Sequence, residues 1–306
     1  MAIDEAAWIG ARLADLGARR IGELEPVQAR PWSTVLRVPT DRGDLFFKAS
    51  AAAWRHEVAV VTLLARRRPD VVPAPLASDP GRGWMLMADA GVRLRELIAV
   101  ERDVSRWLDV LPLYGGLQAD LASDAAELVA LGAPDLRLVV LPARYEALLD
   151  ELGRLDDGSG AGELLRRRAE VPRVAAMCNE LARYGIPETI QHDDLSDAAV
   201  YVLDGRYRIL DWGDACVAHP FFSLSVALEG VIAWGVDDVA GSVDIGPFRD
   251  AYLGSFGGLG SGEELRAACA LGLRLGWVCR AVNGHVPGAD AGPTWTRLRM
   301  AFDGHP

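Results

Sequence analysis

Lysine is almost missing from this chain: of 32 basic residues thirty-one are Arg, and the single Lys is Lys48. A drift toward arginine that spares one position marks that position for a task suited to a flexible point charge rather than a planar fork. Long apolar runs are missing too, since no stretch reaches the roughly eighteen unbroken apolar residues of a membrane span, so no membrane partner is expected. Residues 1–20 carry Asp4, Glu5 and Asp15 among apolar positions and read as an amphipathic helix, not as a signal peptide. The four cysteines, Cys178, Cys216, Cys269 and Cys279, lack metal-ligand spacing and read as reduced thiols of a cytoplasmic protein. Positive charge is scarce at a net of -11. The deficit is uneven: residues 1–90 hold 12 basic against 11 acidic side chains, and the remainder 20 against 32. Nucleic acid demands a basic surface and is excluded as a partner.

What the chain does contain is a dense stretch from Gln191 to Asp214, QHDDLSDAAVYVLDGRYRILDWGD. Apolar residues alternate from Val200 to Leu203 and from Arg206 to Leu210, and Asp204-Gly205 between them is a strong signal for a two-residue hairpin loop. Val200, Val202, Tyr207 and Ile209 are then predicted to share one buried face, because strand side chains alternate with period two. The hairpin sets a His-x-Asp turn (His192, Asp194) before its first strand and an Asp-Trp-Gly turn (Asp211, Gly213) after its second. Phosphoryl transfer needs a carboxylate to orient the acceptor and hard oxygens to hold magnesium, and Asp194 and Asp211 suit those two tasks. Asp193, Asp197 and Asp214 read equally well as solvated turn acids, with Asp214 open to pairing with an arginine.

Lys48 lies in the apolar run Leu45-Phe46-Phe47-Lys48-Ala49. Nine residues on comes Glu57, in a segment where Trp54, Val58, Val61 and Leu64 recur at helical spacing, with Ser50 as its expected cap. A strand Lys followed by a helix Glu is the pair that orients a phosphate-binding lysine in kinases.

These residues together resemble the aminoglycoside phosphotransferase family, which shares the protein-kinase-like two-lobed fold. His192, Asp194, Leu195, Asp211 and Gly213 match the ordered motif. Arg30 to Val38 resembles the first hairpin over the nucleotide and brings in Ser33; Trp84 to Gly91 resembles the last small-lobe strand and hinge, with adenine bonded near Met87 and Asp89. The resemblance implies an α+β fold with a small β-rich N-terminal lobe (residues 1–90, with a leading helix) and a larger, mainly helical C-terminal lobe (residues 91–306) for catalysis and acceptor binding. It implies ATP or GTP and Mg2+ as cofactors, a small-molecule hydroxyl acceptor as partner, and a monomer or homodimer. Its role set is Asp194 as the catalytic carboxylate, His192 bracing the turn, Asp211 on the metal, Lys48 on the phosphates and Glu57 aligning Lys48. Two family positions depart: Ser196 stands for a second His, and Ala199 for the Asn that ligates magnesium. Either Asp197, water or substrate rebuilds that metal ligand, or turnover is lost and the chain is a pseudokinase that binds nucleotide or regulates.

The acidic C-terminal part suggests a cationic acceptor such as an aminoglycoside or amino alcohol, with Glu229, Trp234, Asp237, Asp238 and Trp277 as candidate contacts. A third reading, a His-Asp metal phosphohydrolase, needs a helix at His192-Asp193. Helices are expected over 107–131, 142–152 and 164–184, a Gly-rich loop over 156–162, and a break at 257–262. Arg166 to Arg168 reads as a solvated helix face.

Overall fold

A computed structural model describes residues 3–155 and 161–304. In chain order the elements are α1 (Ile3–Asp15), β1 (Glu25–Arg30), β2 (Ser33–Thr40), β3 (Gly43–Ser50), α2 (His56–Arg67), β4 (Ala77–Asp79), β5 (Trp84–Ala88), β6 (Val92–Arg93), α3 (Leu94–Glu101), α4 (Trp107–Asp120), α5 (Ala125–Ala130), α6 (Leu141–Leu155), α7 (Ala161–Ala169), α8 (Val171–Ala182), β7 (Thr189–Gln191), β8 (Val200–Leu203), β9 (Arg206–Ile209), β10 (Cys216–Ala218), α9 (Gly246–Leu253), α10 (Gly262–Asn283) and α11 (Gly292–Phe302). The chain divides into two compact units, Met1–Val92 with Tyr201–Gly213, and Arg93–Val200 with Asp214–Pro306.

The first unit is built on an antiparallel sheet of order β1-β2-β3-β5-β4. Period-two alternation sends Leu36 and Val38 of β2, Phe47 of β3 and Leu86 of β5 into one core, which Ile9 and Leu13 of α1 close. Phe47 packs on Trp8 and Trp84 at ring-centroid distances of 5.7 Å each. Because its neighbour Phe47 points into that core, Lys48 points to the opposite face, in register with Val35 on β2 and Met85 on β5. The β8–β9 hairpin has its loop where turn chemistry put it: Asp204 (φ 51°) and Gly205 (φ 73°) are both left-handed, as a type I′ turn requires. Val200 and Ile209 are fully buried, while Val202 and Tyr207 near the tip are half-buried. The hairpin is anchored by Ile209 N–H donating to Val71 O at 2.9 Å, and by Gly91 (φ 92°), where a Cβ would lie 2.2 Å from Val202 O.

The second unit is mainly helical. Its longest helix, α10, starts with a capping box between Ser261 and Glu264 and packs against α6, α8, α9 and α11. Gly272 and Gly276, one turn apart, let α10 approach the segment 221–225 so closely that a Cβ on Gly276 would meet Phe222 O at 2.5 Å. β7 and β10 pair antiparallel, Gln191 opposite Cys216. Tyr252 Oη and Gln118 Nε2 both bond to Pro220 O, and Gln118 Nε2 also donates to Ile190 O.

Several expectations need correction. The helix over 107–131 is interrupted at 121–124, where a 3-10 turn separates α4 from α5. The helix over 164–184 is two helices, because Pro172, which lacks a backbone donor, sits in the first turn of α8. Arg167 is not solvated: it is buried, ion-paired with Glu163 and Asp303, and stacked on Phe302. Of the Gly-rich loop, residues 156–160 lie outside the described residues, and Ala161 and Gly162 open α7. The break at 257–262 falls between α9 and α10 as expected. Among the described residues no helix is long and apolar enough to cross a membrane.

Candidate active site

In the first unit three expected residues meet. Lys48 Nζ donates to Glu57 Oε1 and to Asp211 Oδ1, both at 2.6 Å. Glu57 enters from α2 with its side chain 1% exposed, and its second oxygen accepts from Ser50 Oγ at 2.7 Å. Ser50 therefore does not cap α2, whose preceding turn carries no side-chain cap; its hydroxyl is drawn to the buried carboxylate, the stronger acceptor. Burial works against the Lys48 ammonium, but Glu57 and then Asp211 outweigh it and hold it protonated well above the ordinary lysine range. Asp211 is presented by a left-handed residue (φ 62°) with its side chain 65% exposed. The neighbouring Trp212 is buried and donates through Nε1 to Ile209 O at 3.0 Å, fixing the turn to the end of β9. A Cβ on Gly213 would lie 3.4 Å from Glu57 Oε2, an ordinary contact distance, so the turn runs alongside the carboxylate.

Ser33 is buried at the start of β2, where its hydroxyl accepts from Gln28 Nε2 at 3.4 Å. Met87 is buried on β5 opposite Phe46, and Asp89 is exposed just beyond, with its carboxylate accepting from Gly91 N at 2.9 Å.

In the second unit the His-x-Asp turn follows β7 and is not helical, which removes the phosphohydrolase reading. His192 is fully buried, its backbone N–H donating to Tyr114 Oη at 2.9 Å. Tyr114 Oη pairs with Ser223 Oγ at 2.5 Å, and Ser223 donates to Gln191 Oε1 at 2.9 Å. Asp193 is left-handed (φ 63°) and turned inward, accepting from Gln191 Nε2 at 3.1 Å and Asn283 Nδ2 at 2.8 Å. Burial pushes its carboxyl up to about 6, against the opposing pull of Arg280 and Asn283. Asp194 faces the other way, its side chain 48% exposed, and Arg280 Nη2 lies 3.0 Å from its Oδ1.

Arg280 was not singled out by the sequence, and it organises this turn. Only 9% exposed, it reaches Asp194, Asp214 (2.8 Å) and Asp193 (3.5 Å). Asn283, one turn further along α10, also bonds Asp214 O at 2.7 Å. The open pairing of Asp214 with an arginine is thus resolved in favour of Arg280. The signal available was an arginine and an asparagine at helical spacing in the apolar run Trp277-Val278-Cys279-Arg280-Ala281-Val282-Asn283. Asp197, a candidate to rebuild the metal ligand lost at Ala199, is engaged by Arg95 at 2.8 Å.

Cys216 and Cys279, far apart in sequence, bring their sulfurs to 4.0 Å beside Asp193. The amide of Gln191 already fills that space, its Nε2 within 3.4 Å of both sulfurs and of the Asp193 carboxylate. On the expected acceptor side, Glu229 accepts from Trp277 Nε1 at 2.6 Å, and its backbone O from Trp234 Nε1 at 3.0 Å. Asp237 pairs with Arg102, and Asp238 is exposed. A cavity of about 380 Å³ lined by Glu180, Arg183, Tyr184, Leu259 and Glu264 shares no residue with any of these groups.

Solved structures share the fold. Plasmodium vivax ethanolamine kinase aligns at 11% identity over 91% of this chain and 81% of its own, with a TM-score of 0.62. The streptomycin-ATP-APH(2")-IIa ternary complex aligns at 13% identity, 99% and 96% coverage and TM-score 0.62. The macrolide 2'-phosphotransferase MphH from Brachybacterium faecium aligns at 18% identity, 96% and 98% coverage and TM-score 0.56. No curated protein matches the chain. The fold is protein-kinase-like, with an antiparallel sheet in one part and a larger helical part. The model of the phosphotransferase enzyme family matches residues 27–267, and the chain belongs to that family.

Proposed function

We propose that this chain is a small-molecule phosphotransferase that moves the γ-phosphoryl of ATP or GTP to a hydroxyl of a small cationic acceptor such as an aminoglycoside or amino alcohol. The observation that carries the reading is the double ion pair of Lys48 with Glu57 and Asp211. It sets one flexible cation beside an exposed hard-oxygen ligand, the donor set that a metal-bound nucleotide fits. Residues 1–90 form the nucleotide-binding lobe and residues 91–306 the catalytic and acceptor lobe, with Asp211 joining Lys48 from the later part of the chain.

Lys48 binds the phosphates, and Glu57 holds its ammonium in place. Asp211 would hold Mg2+, which would supply neutralisation of the nucleotide's negative charge. Ser33 steadies the first hairpin, and the backbone near Met87 and Asp89 receives the base. Asp194 orients the acceptor hydroxyl and takes its proton, and the buried His192 braces that turn from the core, where its backbone N–H is bonded to Tyr114. Glu229, flanked by Trp234 and Trp277, offers a carboxylate for an acceptor amine.

The engagement of Asp197 by Arg95, together with Ala199, favours a second reading, a pseudokinase that binds nucleotide without turnover. One experiment separates the two: a thermal-shift screen with nucleotides, with and without magnesium, followed by transfer assays on hydroxylated amines. A magnesium-dependent nucleotide shift and transfer abolished by Asp194→Ala support the phosphotransferase. Nucleotide binding without transfer, unchanged by that substitution, supports the pseudokinase, and no nucleotide shift at all removes both.

A further inference from the structure

We propose that Arg280 is the positioning residue for Asp194, holding its carboxylate from behind so that the other side is presented to the acceptor. This rests on the reading of Asp194 as the group that orients the acceptor hydroxyl. The guanidinium divides its contacts: Nη1 is taken by Asp214 at 2.8 Å and Asp193 at 3.5 Å, and Nη2 reaches Asp194 Oδ1 at 3.0 Å. The enclosed Asp193 and the half-buried Asp214 anchor the fork in the fold, and the third contact extends to a carboxylate whose side chain is 48% exposed. The geometry needs a planar fork, because the two nitrogens serve different partners at once; an ammonium has one nitrogen to offer.

The helix carrying the fork is itself held firmly. Gly272 and Gly276 fix α10 against 221–225, and Arg297 Nη1 donates to Gly284 O at the end of the helix at 3.2 Å. Asn283 bonds both Asp193 and Asp214 O, so the turn and α10 are tied at two successive helical turns. A buried cation needs compensation, and Asp193 and Asp214 supply it inside the fold. Asp194 joins them as the strongest electrostatic partner of the guanidinium, and it is the only one of the three carboxylates assigned to the chemistry.

The test uses the full-length chain with Arg280→Gln, Arg280→Lys, Asp194→Asn and the double variant Arg280→Gln/Asp194→Asn. Urea midpoints of the single and double variants measure coupling without turnover, and transfer kinetics are normalised to folded protein. The expected results are non-additive midpoints and a fall in kcat of about 10- to 100-fold for Arg280→Gln at unchanged nucleotide KM. Arg280→Lys should fall less, about several-fold, because it keeps the charge and loses the fork; it decides the matter should Arg280→Gln not fold. Unchanged kcat in the Arg280 variants, with wild-type turnover sensitive to Asp194→Asn, overturns the positioning role alone. Wild-type turnover that is absent or indifferent to Asp194→Asn overturns the phosphotransferase reading instead, and non-additive midpoints would then report a structural ion pair only.

Discussion

Ser50 donates a 2.7 Å hydrogen bond to Oε2 of Glu57 while Lys48 holds Oε1 at 2.6 Å, so one buried carboxylate ties the end of β3 to α2 through both its oxygens. Removing the hydroxyl with Ser50→Ala deprives a buried charge of a donor. A loss of about 1–3 kcal/mol in urea unfolding is expected, with a weaker response of the protein to nucleotide because Glu57 is less well fixed.

Lys48→Met should abolish the nucleotide thermal shift, and Lys48→Arg should restore little of it, since the larger planar cation does not fit between Glu57 and Asp211 in the same way. Equal nucleotide shifts in wild type and Lys48→Met would remove Lys48 from the phosphate site.

For Asp211→Asn, the nucleotide shift measured with magnesium should drop to that measured without it, because the amide carries no charge for the cation. A magnesium response that survives the change would assign the metal to other residues.

Gly91 has φ 92° and no space for a side chain against Val202 O. Gly91→Ala is expected to cost at least about 1–3 kcal/mol by thermal unfolding, from the strained backbone and the displaced hairpin. An unchanged melting temperature would contradict the close approach.

Burial pushes His219 down to about 3, and its Nδ1 accepts from Phe221 N at 3.3 Å. A folded value below the unfolded one means that only the unfolded chain gains the proton as pH falls. This contribution to stability is therefore intact above about 6.5 and lost progressively down to about 3, at up to about 1.4 kcal/mol per pH unit. His219→Asn keeps an acceptor for Phe221 N and does not titrate, so below pH 6.5 the variant should gain on the wild type. Parallel pH-stability curves would refute the assignment.

The parts of the fold and site that were legible in the sequence are those governed by neighbours. Asp204-Gly205 carries its own turn geometry. Lys48 and Glu57 lie nine residues apart on a strand and the helix after it, so their meeting follows from local reach. Other features were not legible. Arg280 lies 87 residues from Asp193, and nothing in the spacing of either announces the other. Arg167 reads as one of three solvated arginines because burial of a charge depends on Glu163, and on Asp303 at the far end of the chain.

By itself, then, the sequence determined a strand Lys48 followed by a helix Glu57, the left-handed loop of the hairpin, and the order of the His-x-Asp and Asp-Trp-Gly turns. These rest on backbone preferences and periodicities that act over a few residues. Tertiary structure alone decided that Arg280 and Asn283 close on the carboxylates around Asp194, that Asp197 goes to Arg95, and that Cys216 meets Cys279 around Gln191. Those partners are distant along the chain, and a charge or thiol is paired by whichever complementary group the packing of the helices delivers to it.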